Sequence, residues 1–462
     1  MRRVAVLFLL IVSLGLCSCG GALHSQQPPP KWTRGFWFWQ GSSVGSFAST
    51  TEPLDELYFQ AGEINNNVGP GFHDWSVYAQ LPEELPPAGE YWIVLRFNRQ
   101  AVPDLEAAPI VARRVSQLRA TAEQRHLNVA GVQLDIDSPT RSLPQYAAFL
   151  RAVRKDLPPG VRISITALLD WFRDGTAVAD VVKEVDEFVP QFYDLHDPRS
   201  YNADHAIAAK FDGAQWGPVF NRFGKRFRIG ISSFGRARFV QRENVPPGSS
   251  LVMGPVLADL APLDIASNSA FSLQSSRNDA NELVLTYRAA RKVSIGYNNF
   301  ESGDGIQFIL PTPETVRAGV ENAKRIRGYC AGVVFFRWPA SNETLAMPPE
   351  EVLAAADGPL QPNKPSGLEL ADGSCAAVAC TDIFLISPNP LRSTPVRYRI
   401  HSSTELEYFL PEQRMPIRMA DPSNLELSLP PYGARRRMYL GRAVTAKNAE
   451  FTIQEEPGKA EP

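Results

Sequence analysis

The chain has 462 residues and a mass of 51.0 kDa, enough for two or three domains or for one large barrel with an appendage. Hydrophobic residues make up 44% and charged residues 21%, the balance of a globular protein rather than a disordered one. Forty-seven basic against 49 acidic residues leave a net charge of −2, with no surplus to neutralise a phosphate backbone, which argues against nucleic acid as a partner.

Arg2 and Arg3 precede an apolar run from Val4 to Leu16, too short for a comfortable membrane span and arranged like a signal peptide. The stretch Leu16-Cys17-Ser18-Cys19 resembles the lipobox of bacterial lipoproteins, which implies cleavage before Cys19 and lipidation of its thiol. A plain secretory signal is the alternative. Gly20 rather than an aspartate after the cysteine favours outer-membrane sorting in a Gram-negative host. These features place residues 1–19 in a signal peptide and the chain in the cell envelope, lipid-anchored to a membrane through Cys19. Residues 20–33, with Pro28, Pro29 and Pro30, read as a flexible tether.

Eight apolar runs then follow in order: Gly35–Gln40, Leu57–Ile64, Tyr91–Asn98, Gly131–Asp137, Arg162–Leu168, Phe188–Asp194, Phe227–Phe234 and Gly332–Trp338. Helical spacing of apolar residues recurs at Ile110–Arg125, Gln145–Lys155, Ala177–Val185 and Glu314–Arg327. The alternation predicts an α/β fold, a (β/α)8 TIM-type barrel over residues 34–346, with a β-rich lobe inserted at about 236–310. A doubly wound sheet is the alternative, but no Gly-rich first turn offers a nucleotide crevice. A Pro-rich linker over 347–365 leads to short β-type runs at Ile383–Ile386, Val396–His401, Leu425–Leu429 and Glu450–Gln454. Residues 366–462 therefore read as a small antiparallel β domain, an accessory module or a docking module for an envelope protein partner. Cys375 and Cys380 are spaced to close a disulfide loop or, as the alternative, to bind metal; no His cluster accompanies them.

Polar side chains on the interior faces of these strands carry the functional signal. In the fourth run Val132, Leu134 and Ile136 alternate with Gln133, Asp135 and Asp137, so the polar set points towards the barrel axis. Barrel interiors are normally filled by Val, Ile and Leu, so two acids there need a reason. Neighbouring carboxylates push one pKa upwards, as a general acid requires. Their attachment points lie about 6.6 Å apart, compatible with two-carboxylate chemistry. By the same parity Arg96 and Asn98 share a face in the third run, and Gln191 and Tyr193 share one in the sixth, closed by Asp194. The eighth ends in Arg337-Trp338. The pattern reads as a ligand-binding belt at the strands' C-terminal ends, or as a structural network in which Arg96 neutralises an aspartate. Trp37, Trp39, Trp171, Trp216 and Trp338 offer ring faces for sugars, with core packing the alternative for Trp37 and Trp39.

The runs Val132–Asp137, Ile163–Leu168, Val189–Tyr193 and Gly332–Pro339 resemble an uncharacterised bacterial family, domain of unknown function 3142, from the fourth strand to the eighth. More distantly the chain is similar to the chitinase-like glycoside hydrolases of family 18. Those barrels carry an acidic D-x-D-x-E fourth strand, a Tyr-Asp after the sixth, Tyr-Gly-Arg after the seventh and a closing tryptophan. Asp135, Asp137, Tyr193-Asp194, Phe234-Gly235-Arg236 and Trp338 occur here in that order. The resemblance implies that Asp137 orients substrate and Tyr193 assists. Pro139 occupies the place of the acid, and proline cannot donate a proton.

The sequence leads to an exported lipoprotein that hydrolyses a glycosidic bond in an envelope or extracellular polysaccharide. In that reading Asp137 is the acid, Asp135 its electrostatic partner, and Tyr193 a positioning group. Gln133, Gln191, Arg96, Asn98, Asp170, Trp171, Trp216, Arg337 and Trp338 bind the polysaccharide or oligosaccharide. The alternative is a non-catalytic glycan-binding or envelope-assembly lipoprotein, motivated by Pro139. No P-loop, G-x-S-x-G elbow, H-x-H or H-E-x-x-H motif occurs, so neither cofactor nor metal is expected.

Overall fold

The structure is a computed structural model that describes residues 30–44, 53–69, 72–193, 211–240, 265, 268–278, 282–295, 298–340, 345–358, 365–375, 379–387, 396–412, 415–429 and 437–457. The signal peptide, Cys19, most of the tether and Asp194 lie outside the described residues.

The strands of the first half are β1 (Thr33–Phe38), β2 (Leu54–Gly69), β3 (Phe72–Ala79), β4 (Ala88–Phe97), β5 (Val129–Ile136), β6 (Arg162–Ala167), β7 (Glu187–Pro190) and β8 (Arg226–Ser232). Next come β9 (Arg236–Val240), β10 (Phe271–Arg277), β11 (Leu283–Ala289), β12 (Val293–Ile295), β13 (Asn298–Phe300), β14 (Gly305–Leu310) and β15 (Cys330–Phe336). The parallel order β1-β15-β8-β7-β6-β5-β4-β2, closed by pairing of β1 with β2, is a closed eight-stranded barrel. All eight apolar runs supply its staves. Helices α1 (Ala107–Gln124), α2 (Leu143–Asp156), α3 (Val178–Lys183), α4 (Gly213–Asn221), α5 (Pro313–Arg325) and α6 (Pro349–Asp357) cover the outside. Period two sorts the strands: Val132, Leu134 and Ile136 join the outer core with the helices, as do Ile93, Leu95 and Phe97.

Two departures from the plain alternation matter. Strand β2 is far longer than its apolar run, and beyond the barrel it pairs antiparallel with β3 to make a two-stranded arm. The inserted lobe is a sheet of order β10-β11-β14-β9 with a separate β12-β13 hairpin. The C-terminal region consists of two four-stranded antiparallel sheets whose inner faces share one apolar core that includes Ile383, Tyr398, Leu427 and Leu440. Cys375 and Cys380 are joined as a disulfide there, with Cα atoms 5.6 Å apart. Among the described residues, no helix is long and apolar enough to cross a membrane.

The base of the barrel, at the N-terminal ends of the strands, is filled by charge rather than hydrocarbon. Arg228, with no exposed surface, ion-pairs with Glu56 of β2 and with Glu187 of β7, the latter at 2.8 Å. Arg226 reaches the same two acids at 3.2 and 3.0 Å. Two guanidiniums thus balance two carboxylates. Thr33 donates to Glu56 at 3.1 Å. The single Tyr58 phenol proton goes to the nearer Glu187 oxygen at 2.7 Å, with Glu56 at 3.0 Å. Burial alone would raise the Glu56 carboxyl, but the charges of Arg228 and then Arg226, with hydrogen bonds from Arg228 and Tyr58, hold it below its ordinary value. Burial likewise disfavours the Arg228 cation, yet Glu187, Tyr58 and Glu56 outweigh it and strengthen its hold on the proton.

A buried pair broken on one side leaves an uncompensated charge, so Arg228→Met is expected to cost about 3–5 kcal/mol in denaturant unfolding. Because the Glu56 pKa is depressed in the folded state, its contribution is present above the ordinary glutamate range and lost as pH falls through the lower folded value. Removing Arg228 moves that folded value up, so the acid limb of the stability curve should begin at higher pH in the variant. An unshifted acid limb would contradict this assignment.

Candidate functional site

A hydrogen-bonded column climbs from the charged base. Ser164 lies 3.5 Å from Glu187 and accepts from Gln133 at 3.1 Å, and Gln133 accepts the Trp37 indole N–H at 2.6 Å. Tyr58 stacks on Trp92 with parallel rings at 5.6 Å. Gln133 is wholly buried, so it belongs to the barrel filling and does not reach a ligand; its sequence assignment as a binding residue is corrected by that burial.

Above the column the strand ends converge. Thr166 of β6 donates to Asp135 Oδ1 at 2.7 Å, and Arg96 of β4 ion-pairs with Oδ2 at 3.6 Å. The Arg96 guanidinium sits 5.8 Å from the ring of Trp39, just past β1. Trp39 meets Phe336 of β15 edge-on at 5.8 Å, and Phe336 stacks on Tyr193 at 4.3 Å with rings 7° from parallel. Tyr193 in turn meets Trp37 edge-on at 5.4 Å. Gly230 makes this possible: a Cβ there would lie 3.0 Å from the Tyr193 ring and 3.2 Å from Trp37. Arg236 of β9 donates to the Tyr193 carbonyl at 2.7 Å and pairs with Glu282 at 3.4 Å, so the lobe buttresses this side. The mouth is therefore a belt of Asp135, Arg96, Trp39, Phe336 and Tyr193, with Arg96 about one-third exposed and Asp135 only 8% exposed.

Asp137 follows a different geometry. Strand β5 stops at Ile136, and the Ser138 N–H bonds the Ile136 carbonyl at 2.8 Å, turning the chain at Asp137. The alternation used to align it with Asp135 ends one residue short of it, and the side chain is half-buried. Tyr146 of α2 reports on both acids. Burial drives its phenol pKa well above the ordinary value, and the charges of Asp135 and Asp137 add to that. The Tyr146 hydroxyl is buried without a hydrogen-bond partner among the described residues.

The remaining predicted residues separate by burial. Trp171 is fully buried, packs edge-on against Tyr146 and donates to the Ser138 carbonyl at 2.8 Å, pinning the turn after β5. Trp338 is buried against Phe36 and Phe38 on the helix side and donates to the Ser43 carbonyl. Neither presents a ring face to a ligand, so both assignments are corrected. Trp216 lies on α4 among Phe192 and Phe220, in the helical layer rather than the mouth. Asp170 accepts the Thr140 hydroxyl and ties the loops after β5 and β6. Gln191 is buried beside β8, Asn98 is exposed past β4, and Arg337 lies half-buried over the Phe234 ring at 4.5 Å. Pro139 opens a short 3-10 turn and lines an open cleft of about 430 Å3 with Asp104, Leu105, Arg141 and Gln145. Among the described residues no group of three metal-ligating side chains converges.

A family model described as domain of unknown function (DUF3142) matches residues 90–255. That span runs from β4 past β8. No curated protein is significantly similar in sequence. Solved structures resembling the chain include the spore cortex-lytic enzyme SleL of Bacillus cereus, at 12% identity over 71% of this chain and 75% of that one, with a TM-score of 0.43. Chitinase ChiA74 of Bacillus thuringiensis follows at 11% identity, covering 91% and 100%, with a TM-score of 0.44. A family 18 chitinase of Cycas revoluta, in complex with (GlcNAc)3, has 15% identity, 70% and 97% coverage and a TM-score of 0.40. The two resemblances drawn from the sequence are met again in these matches; the barrel itself rests on the strand order and register above.

An unpartnered buried hydroxyl is a cost without a return. Tyr146→Phe should therefore leave thermal stability unchanged or slightly raised, by about 0–1 kcal/mol in denaturant unfolding. A loss above that range would mean that the hydroxyl has a partner in solution.

Proposed function

We propose that the barrel mouth holds a glycan chain without cleaving it, in an exported protein anchored to the envelope membrane through lipidated Cys19. The observation that carries this reading is the state of Asp135. Thr166 occupies one of its oxygens, Arg96 faces the other, and the group is nearly buried. A carboxyl whose two oxygens face a hydroxyl donor and a guanidinium has its hydrogen-bonding sites engaged within the protein, which leaves it poorly placed to hand a proton to a leaving group. Two-carboxylate hydrolysis needs a second acid across the scissile bond, and the strand ends before Asp137, with Pro139 two residues on. What remains at the mouth suits a sugar: the Trp39 and Phe336 rings offer apolar faces, and Arg96 offers donors beside them.

Hydrolysis is the second reading, favoured by the half-buried position of Asp137 two residues after Asp135 and by its electrostatic reach to Tyr146. In that case Asp137 is the acid and Asp135 stabilises developing positive charge on the sugar. The C-terminal sheets, with no tryptophan, serve in either case as a module for an envelope protein.

Incubating residues 20–462 with a panel of bacterial polysaccharides and N-acetylglucosamine oligomers separates the readings. Saturable binding with no new reducing ends by mass spectrometry is expected, with Trp39→Ala weakening binding about tenfold. Products formed by the parent and not by Asp137→Asn would overturn the non-catalytic reading.

A further inference from the structure

The arm formed by β2 and β3 continues the interior face of the barrel beyond its mouth. In register, Tyr78 of β3 lies opposite Glu63 of β2, Glu63 opposite Arg96 of β4, and Arg96 opposite Asp135 of β5. Paired residues point to the same face of a sheet, so one row runs from the exposed arm into the mouth. A register shift between Gln60 and Gly62 creates this continuity. Glu56, Tyr58 and Gln60 point inward below it, and the extra residue restores inward parity at Glu63, Asn65 and Asn67 above it. Cross-strand neighbours Ser76 and Asp74 extend the same face. The opposite face is apolar and packed: Ile64 and Trp75 are buried in the outer core, with Trp75 5.8 Å from Phe97. Arg114 donates to the Ala79 carbonyl, and Arg99 to the Asn66 carbonyl at 3.1 Å. The arm is thus a supported wall. From Glu63 to Asn67 it rises about 13 Å past the mouth.

We propose that this inner face, Tyr78 with Glu63, Asn65, Asn67, Ser76 and Asp74, is an extended subsite for a linear glycan that carries no anionic groups. The proposal rests on the reading of the mouth as a glycan site. Tyr78 is 69% exposed and offers a ring face at the foot of the arm. Amide side chains supply both donors and acceptors, as sugar hydroxyls and acetamido groups require. Asn67 already donates to Ser76 at 3.0 Å, which orients its carbonyl oxygen. The face carries two carboxylates and neither lysine nor arginine, so a polyanion would be repelled while an uncharged or amine-bearing chain would not. Its continuity with the Arg96–Asp135 row identifies the occupant as the same chain that enters the barrel.

The test compares N-acetylglucosamine dimer and hexamer, a partly N-deacetylated hexamer and a galacturonic acid hexamer, titrated calorimetrically into the full chain purified in detergent. The hexamer should bind at least tenfold more tightly than the dimer, and the galacturonic acid hexamer least. The partly deacetylated hexamer should bind at least as tightly as the acetylated one, and binding as weak as that of the galacturonic acid hexamer would contradict the acidic face. Tyr78→Ala and the double variant Asn65→Ala/Asn67→Ala should each lose about tenfold for the hexamer and leave the dimer and the melting temperature unchanged. Tyr78→Phe should keep most of the affinity. Equal affinity for dimer and hexamer, or an unaltered hexamer affinity in Tyr78→Ala, would overturn the subsite alone. Tightest binding of the anionic hexamer would overturn the assigned class. Binding of none of these would overturn the mouth reading and the subsite with it.

Discussion

Two arginines and two glutamates at the barrel base set the conditions for everything above them. Glu187 of β7 is the register partner of Arg226 on the neighbouring β8, whereas Glu56 of β2 meets Arg226 and Arg228 only because the barrel closes. Taking three of these charges out of water, with Arg226 left about one-third exposed, is costly, and that cost is offset only when each group finds its partners. The cluster is therefore a condition on geometry as much as a source of stability: the barrel must close in one register for the charges to balance. Tyr58, Thr33 and Ser164 add hydrogen bonds to the two carboxylates, and the stacked Tyr58 and Trp92 rings fill the next layer. With its base filled this way, the polar groups left to meet a ligand are those at the C-terminal ends of the strands.

The mouth inherits its character from that column. Trp37 is held by Gln133, Tyr193 leans on Trp37, Phe336 stacks on Tyr193, and Trp39 and Arg96 complete the belt. Each ring is positioned by another ring rather than by a flexible loop. Asp135 is part of this rigid setting. Its two oxygens are engaged by Thr166 and Arg96, so its carboxyl group is fixed by the strands on either side of β5.

Much of the barrel was legible because period two survives in a single sequence. The alternation of Val132, Leu134 and Ile136 with Gln133 and Asp135 is local information, and it correctly assigns both faces of β5. Asp137 was not legible in the same way, since a strand's end depends on where hydrogen bonds to its neighbours stop. Trp171 and Trp338 were misplaced because exposure is a tertiary property: nothing local says that helices or a neighbouring strand will cover an indole. Gln133 shows the reverse, a polar residue on an inner face that is satisfied by Trp37 and Ser164 rather than by a ligand. The charged base left a weaker trace. Arg226 and Arg228 share the inner parity of β8, but their acids lie up to 172 positions away in the chain. The arm also had its signal, the turn-favouring sequence Gly69-Pro70-Gly71 followed by the alternation of Asp74, Ser76 and Tyr78 with Trp75 and Val77. The preceding apolar run masked it by ending at Ile64.

The most direct test of a mouth that holds sugar and leaves it whole is a crystal structure of residues 20–462 grown with a glycan from the binding panel. The account predicts a pyranose ring against Trp39 and Phe336 beside the Arg96–Asp135 pair, with every glycosidic linkage intact. Sugar bound elsewhere with the mouth empty, or a chain broken next to Asp137, would contradict it.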